Sequence, residues 1–159
     1  MGIQRVRCKT LLILTLLTWP VGAEPSMGRR CQQIRQALPV IKRLSVKVYR
    51  CQDWCRCFQY KGGAFMQSSH ESTCALFNQK SRPFTPQAQA DFVSLRKALA
   101  GAGVIWLSER EGGFDFALEG FSRRTLIYQP HYRLPPDEGH EFQYRRVDQD
   151  FYLELEDWN

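Results

Sequence analysis

The second half of this chain has no cysteine: all six lie between residues 8 and 74, and residues 75–159 hold none. Thiol, disulfide or thiolate–metal chemistry is therefore confined to the front. A membrane-length apolar run is missing as well. The run Leu11-Leu12-Ile13-Leu14-Thr15-Leu16-Leu17 is about a third of the roughly 20 residues that a transmembrane helix needs, which argues against a permanent span. No internal repeat, low-complexity tract or coiled-coil heptad is present, so repeat arrays and fibrous assemblies are set aside. Histidine is scarce, with three residues in 159. No catalytic or cofactor motif stands above background, and the reading assigns no cofactor and no metal.

What is present begins with an export address. Arg5, Arg7 and Lys9 precede the apolar run, and Val21-Gly22-Ala23 supplies small residues where a signal peptidase cuts. Residues 1–23 are read as a signal peptide and residues 24–159 as one exported domain, periplasmic or extracellular. The alternative is a membrane anchor through uncleaved residues 10–23. The layout of the leader and the richness in Arg, Gln and Leu suit a bacterial protein.

At 43% hydrophobic and 13% aromatic the chain is globular rather than disordered. Loss of the leader lowers the net charge from +6 to +3, and the remaining charge is polarised. Residues 24–82 carry 11 Lys/Arg against 3 Asp/Glu, and residues 83–159 carry 8 against 13. A basic surface for an anionic partner is one explanation. Electrostatic attraction between two parts of one domain is the reading preferred here, because the basic residues are scattered rather than gathered with exposed aromatics. Nucleic acid is accordingly not among the expected partners.

Cys31, Cys51, Cys55, Cys57 and Cys74 are the disulfide candidates of the basic part. Five is an odd number, which in an oxidising compartment predicts two bridges and one leftover thiol. A Cys55–Cys57 bond is strained, so each is expected to reach a distant partner. Zinc held by Cys51, Cys55, Cys57, His70 and Cys74 competes with this, but the spacing is not the paired two-residue gap of zinc ribbons.

Periodicity places a helix on Cys31, Ile34, Leu38 and Ile41, bent or restarted at Pro39. A strand over residues 45–50 leads into the cysteines, and Lys61-Gly62-Gly63 turns into a strand over residues 64–67. Thr85 and Pro86 write the start of a second helix, and Gly101 its stop, with Ala88, Phe92, Leu95 and Leu99 facing the core. Five strands follow, over residues 104–109, 114–119, 123–129, 141–147 and 151–156, the first two joined at Glu111-Gly112-Gly113. The expected fold is α+β: a disulfide-linked helix and hairpin segment, then a helix packed on an antiparallel meander of about five strands.

Catalytic candidates each face an ordinary explanation. His70 beside Cys74 suggests a thiolate–imidazole pair and His140 beside Glu141 an acid–base pair, yet both lie in polar, loop-like sequence. Glu109, Glu111, Asp115 and Glu119 gather on one hairpin, but their alternation with Phe114, Phe116 and Leu118 is that of any half-wet sheet. Binding candidates are better placed. Trp54, Arg50 and Arg56 are residue types of interface hot spots set in the cysteine loop. His131, Tyr132 and Arg133 sit in a proline-rich loop too long for a simple connection. The sequence therefore favours a small exported binding protein without enzymatic activity, of the inhibitor or immunity kind, whose partner is another protein. The alternatives are a secreted hydrolase using the hairpin carboxylates or His140 with Glu141, and a cysteine-based redox or zinc protein. Any membrane contact runs through the leader.

Overall fold

The structure is a computed structural model that describes residues 26–68, 82–119, 124–131 and 141–156. The leader, His70, Cys74, Tyr132, Arg133 and His140 lie outside the described residues. Helix α1 spans Met27–Leu44 and α2 spans Pro86–Leu99. Eight strands, β1 (Val48–Gln52), β2 (Cys55–Tyr60), β3 (Gly63–Ser68), β4 (Val104–Arg110), β5 (Gly113–Leu118), β6 (Arg124–Tyr128), β7 (Phe142–Asp148) and β8 (Phe151–Glu156), form one antiparallel sheet. Their order is β3-β2-β1-β4-β5-β6-β8-β7.

The α+β class stands, and the count of about five strands is corrected to eight. All five strands expected after the second helix are found. The difference is that β1, β2 and β3 join the same sheet, because β1 pairs with β4 from Val48 opposite Ser108 to Arg50 opposite Trp106. Nor is the far end a plain meander: β8 lies between β6 and β7.

Local chemistry explains the helices. Ser26 caps α1 by accepting the Arg29 N–H, and Ser45 ends it in a left-handed conformation with Lys42 and Arg43 in the last turn, where cations suit the helix dipole. The helix runs through the exposed Pro39 as one element instead of restarting there. Thr85 caps α2 as its sequence predicts, its hydroxyl accepting the Ala88 N–H at 3.2 Å. The helix ends at Leu99, within the 98–100 stretch where the sequence sets its stop. One 3-10 turn over Ala100–Ala102 follows α2, and Gly103, with φ at 66°, takes the left-handed position that Gly101 was expected to fill. Arg30, only 3% exposed, reaches from α1 to this point and donates to the Ala102 carbonyl at 2.7 Å.

Both helices pack on one face of the sheet. Ile34, Leu38 and Ile41 of α1 and Ala88, Phe92, Leu95 and Leu99 of α2 meet Tyr49, Phe58, Leu107, Phe116 and Leu126 in a single core. Phe92 is the hub, with ring centroids 5.1 Å from Tyr49, 5.6 Å from Phe58 and 5.3 Å from Phe84. Aromatic pairs at such distances contribute about 0.5–1.5 kcal/mol each beyond their buried area.

The disulfide scheme is corrected. Cys31, Cys51 and Cys57 are thiols, which leaves no room for two bridges among five cysteines. Cys55 is disulfide-bonded, and no two described cysteines are joined to each other; the Cys55 and Cys57 sulfurs are in contact at 3.3 Å, not bonded. The front half is therefore held by sheet pairing and aromatic packing, not by the expected set of staples. Among the described residues no helix is long and apolar enough to cross a membrane.

Candidate binding face and its neighbouring cavities

The side of the sheet away from the helices is set by register. One transverse row crosses all eight strands through Met66, Cys57, Arg50, Trp106, Ala117, Thr125, Glu154 and Tyr144. The next row includes Gln59, Val48, Ser108, Asp115, Ile127, Tyr152 and Arg146. Residues on one row sit close enough to touch across strands.

Arg50 is the centre of the first row. Its guanidinium lies 4.4 Å from the Trp54 ring centroid and 5.8 Å from that of Trp106, and its Nε donates to Gln52 at 2.6 Å. Trp54 itself occupies the two-residue turn between β1 and β2, packs on Cys55 and Cys57, and accepts the Ser68 hydroxyl on its carbonyl at 3.2 Å. A cation between two indoles is fixed by short strands on both sides and needs little ordering before it meets a partner.

Arg56, the same residue type six positions on, points the other way. Because Arg50 pairs with Cys57, Arg56 falls on the helix side, opposite Cys51 and Gln67. There it donates to Gln67 and Gln89 at 3.2 and 3.1 Å and lies 4.6 Å from the Phe92 ring. It is a strut between β2 and α2. His131 is exposed, in a left-handed conformation with φ at 66°, beyond the end of β6. Tyr128 pairs with Phe114 beside the Gly112 turn, whereas Trp54 sits at the end of β1 near Gly103. His131 and the turn of Trp54 are thus at opposite ends of the sheet.

Cavities open beside the Arg50 row. One of about 650 Å³ is lined by Met66, Phe84 and Gln89 among others, and one of about 500 Å³ opens beside the Trp54 turn and is lined by Tyr49, Cys51, Asp53, Arg96, Ile105 and Glu119 among others. Tyr49 is buried here and its hydroxyl pKa is raised by desolvation, with Cys51 adding to the effect. A smaller one, about 150 Å³, lies on the face of the sheet away from α1 and α2, between Trp106, Ser108, Asp115, Ala117, Thr125 and Glu154. Burial raises the Asp115 pKa in spite of Arg110, which donates to its Oδ1 at 2.8 Å. Burial also raises Glu154, and the charge of Asp115 raises it further. The Nε1 of Trp106 is buried and meets no acceptor among the described residues.

The hairpin carboxylates therefore separate. Asp115 enters the 150 Å³ cavity, Glu119 lines the one beside the Trp54 turn, and Glu109 and Glu111 are exposed. The carboxylate that Asp115 acts on is Glu154, from the strand expected over residues 151–156. Cys31 and Cys57 are pushed up to about 11, chiefly by burial, which makes them poor nucleophiles. Among the described residues no group of three His, Cys, Asp or Glu is placed to hold a metal. Comparison with protein-family models, curated proteins and solved structures finds no match.

Proposed function

We propose that this chain is a small exported binding protein that presses the helix-free face of its sheet onto a protein partner, in the manner of an inhibitor or immunity protein. The observation that carries this reading is the Arg50 guanidinium held between Trp54 and Trp106. Trp and Arg dominate interface hot spots because they bury large area and lose little freedom when already packed. Arg50 and Trp54 are only partly buried, so both retain surface to offer. Affinity capture from the source organism's exported fraction tests it. The full chain should retain a discrete partner that both Trp54→Ala and Arg50→Ala release, with folding unchanged by circular dichroism. A partner retained equally by both variants excludes this face.

A second reading, acid–base hydrolysis, is favoured by one observation: Asp115 and Glu154 are both shifted towards holding a proton and share a cavity. Turnover in a substrate screen, abolished by Asp115→Asn, would put it first.

A further inference from the structure

The two helices turn an acid-free surface outward. On α1 the residues away from the core, Arg29, Gln32, Gln36, Pro39 and Arg43, follow one another at intervals of three and four and are all exposed. On α2 the corresponding stripe is Pro86, Ala90, Val93 and Lys97. The helices pack against each other on the same side of the sheet, so the stripes lie side by side. Arg35, Lys42 and Arg96 are exposed beside them. The one carboxylate in either helix, Asp91, accepts from Tyr60 and Gln87. Attraction within the domain does not use this charge: of the exposed helix cations only Arg35 meets a carboxylate among the described residues. Nor does helix stability explain it. Arg29 stands in the first turn of α1, where no acidic residue is present and a cation opposes the helix dipole.

The surroundings of these cations decide what they meet. No aromatic side chain lies on either stripe, so the stacking platforms of a nucleic-acid site and the anchors of a protein hot spot are both missing. What lies among the cations is small and apolar: Pro39, Ala90 and Val93, the last 49% exposed. Cations bordering short apolar groups suit the boundary between anionic headgroups and acyl chains. We propose that the helix layer docks on a membrane surface rich in anionic phospholipid, with Arg29, Arg43 and Lys97 on the headgroups and Val93 at the acyl boundary. The helix-free face then points away from the membrane and stays open to a protein partner. The inference does not need the binding reading, and the export reading decides only which membrane is met.

The test is co-sedimentation of the full chain with vesicles of mixed phosphatidylglycerol and phosphatidylcholine, against vesicles of phosphatidylcholine alone. A cation near an anionic surface is worth about fivefold in affinity, so Arg29→Gln, Arg43→Gln and Lys97→Gln together should weaken binding to the mixed vesicles roughly a hundredfold. The charge-reversing set Arg29→Glu, Arg43→Glu and Lys97→Glu should weaken it further, with helix content by circular dichroism unchanged in both sets. Binding should also fall steeply between about 0.1 M and about 1 M salt, as the screening length shrinks from about 10 Å to about 3 Å. The leader carries cations of its own, so the set Arg5→Gln, Arg7→Gln and Lys9→Gln is the control and should keep the preference for the mixed vesicles. A preference that disappears with the leader cations and survives loss of the helix cations overturns the proposal. So does equal binding to both vesicle types, and so does failure to bind the mixed vesicles while the same helix cations hold a DNA duplex, which makes the partner a nucleic acid. No protein partner enters this assay, so its failure is separate from failure of the capture experiment.

Discussion

Arg50→Ala and Arg56→Ala delete the same side chain from the same hairpin, and the fold requires them to have different consequences. Arg56 joins β2 to α2 through hydrogen bonds to Gln67 and Gln89 and through ring contacts with Phe92 and Phe84 at 4.6 and 5.3 Å. A cation on an aromatic face contributes about 0.5–1 kcal/mol at accessible sites. Hydrogen bonds from a charged donor contribute about 1.5–3 kcal/mol when buried, but here both glutamines can turn to water, so the lower end applies. Removing Arg56 also removes a buried Nε that has no partner among the described residues, which offsets part of the loss. The net cost of Arg56→Ala is about 2 kcal/mol. Arg50 makes one close ring contact and one hydrogen bond within its own strand, so Arg50→Ala costs about 1 kcal/mol or less. Urea denaturation at constant m measures both, and partner capture measures the other half of the claim. Arg56→Ala should lose stability and keep the partner, and Arg50→Ala should do the reverse. Partner loss in Arg56→Ala with stability within about 0.5 kcal/mol of wild type would refute the assignment of faces.

Three further expectations concern other parts of the molecule. With Cys31 and Cys57 pushed up to about 11 and fully buried, alkylation of the native protein at pH 8 should label Cys51 ahead of both, and mass spectrometry with peptide mapping reads the order of these three. Gly103→Ala should cost about 1–3 kcal/mol by thermal or chemical unfolding, because φ is 66° and the new methyl would lie 2.7 Å from Arg30 Nη1. Gly101→Ala should cost clearly less, since what it meets is the end of the flexible Gln33 side chain. Glu154 has a folded-state pKa above its unfolded value, so the native state holds the extra proton and stability falls as pH rises from the ordinary carboxylate range through the raised value. Glu154→Gln should accordingly gain on wild type at pH 7 and lose that advantage in acid, as read from denaturation midpoints at both pH values.

Much of the fold was legible because its signals are local. The Thr85-Pro86 start of α2 and its Ala88, Phe92, Leu95, Leu99 face depend on neighbours three or four residues apart. The alternation in β5 and β8 likewise fixes which side chains turn inward. Strand β2 was hidden because Cys57 and Phe58 point to opposite faces and both are buried, and its two polar residues, Arg56 and Gln59, fall on opposite faces and so mark no period. The different fates of Arg50 and Arg56 were hidden by the Asp53-Trp54 turn. An even spacing in one strand means a shared face, but a two-residue turn pairs position 50 with 57 and sends 56 to the other side. The left-handed residue after α2 is Gly103 and not Gly101, with one 3-10 turn between, where Arg30, 72 residues away in the chain, donates to the Ala102 carbonyl. The Asp115–Glu154 cavity needed the cross-sheet register through β6, and no spacing in the sequence encodes it. Between the basic front and the acidic back, Arg35 reaches Asp148 at 3.1 Å and Asp150 at 3.8 Å, both exposed enough for each pair to contribute little.

The central claim is that partners meet the helix-free face. Site-specific photocrosslinking in the source organism tests it most directly, with the reactive amino acid placed at Gln59, on the row beside Arg50, and in a second strain at Lys97, exposed on α2. The account predicts a discrete adduct from position 59 that disappears when Arg50→Ala is added, and none from position 97. The same adduct from position 97, with nothing from position 59, would contradict it.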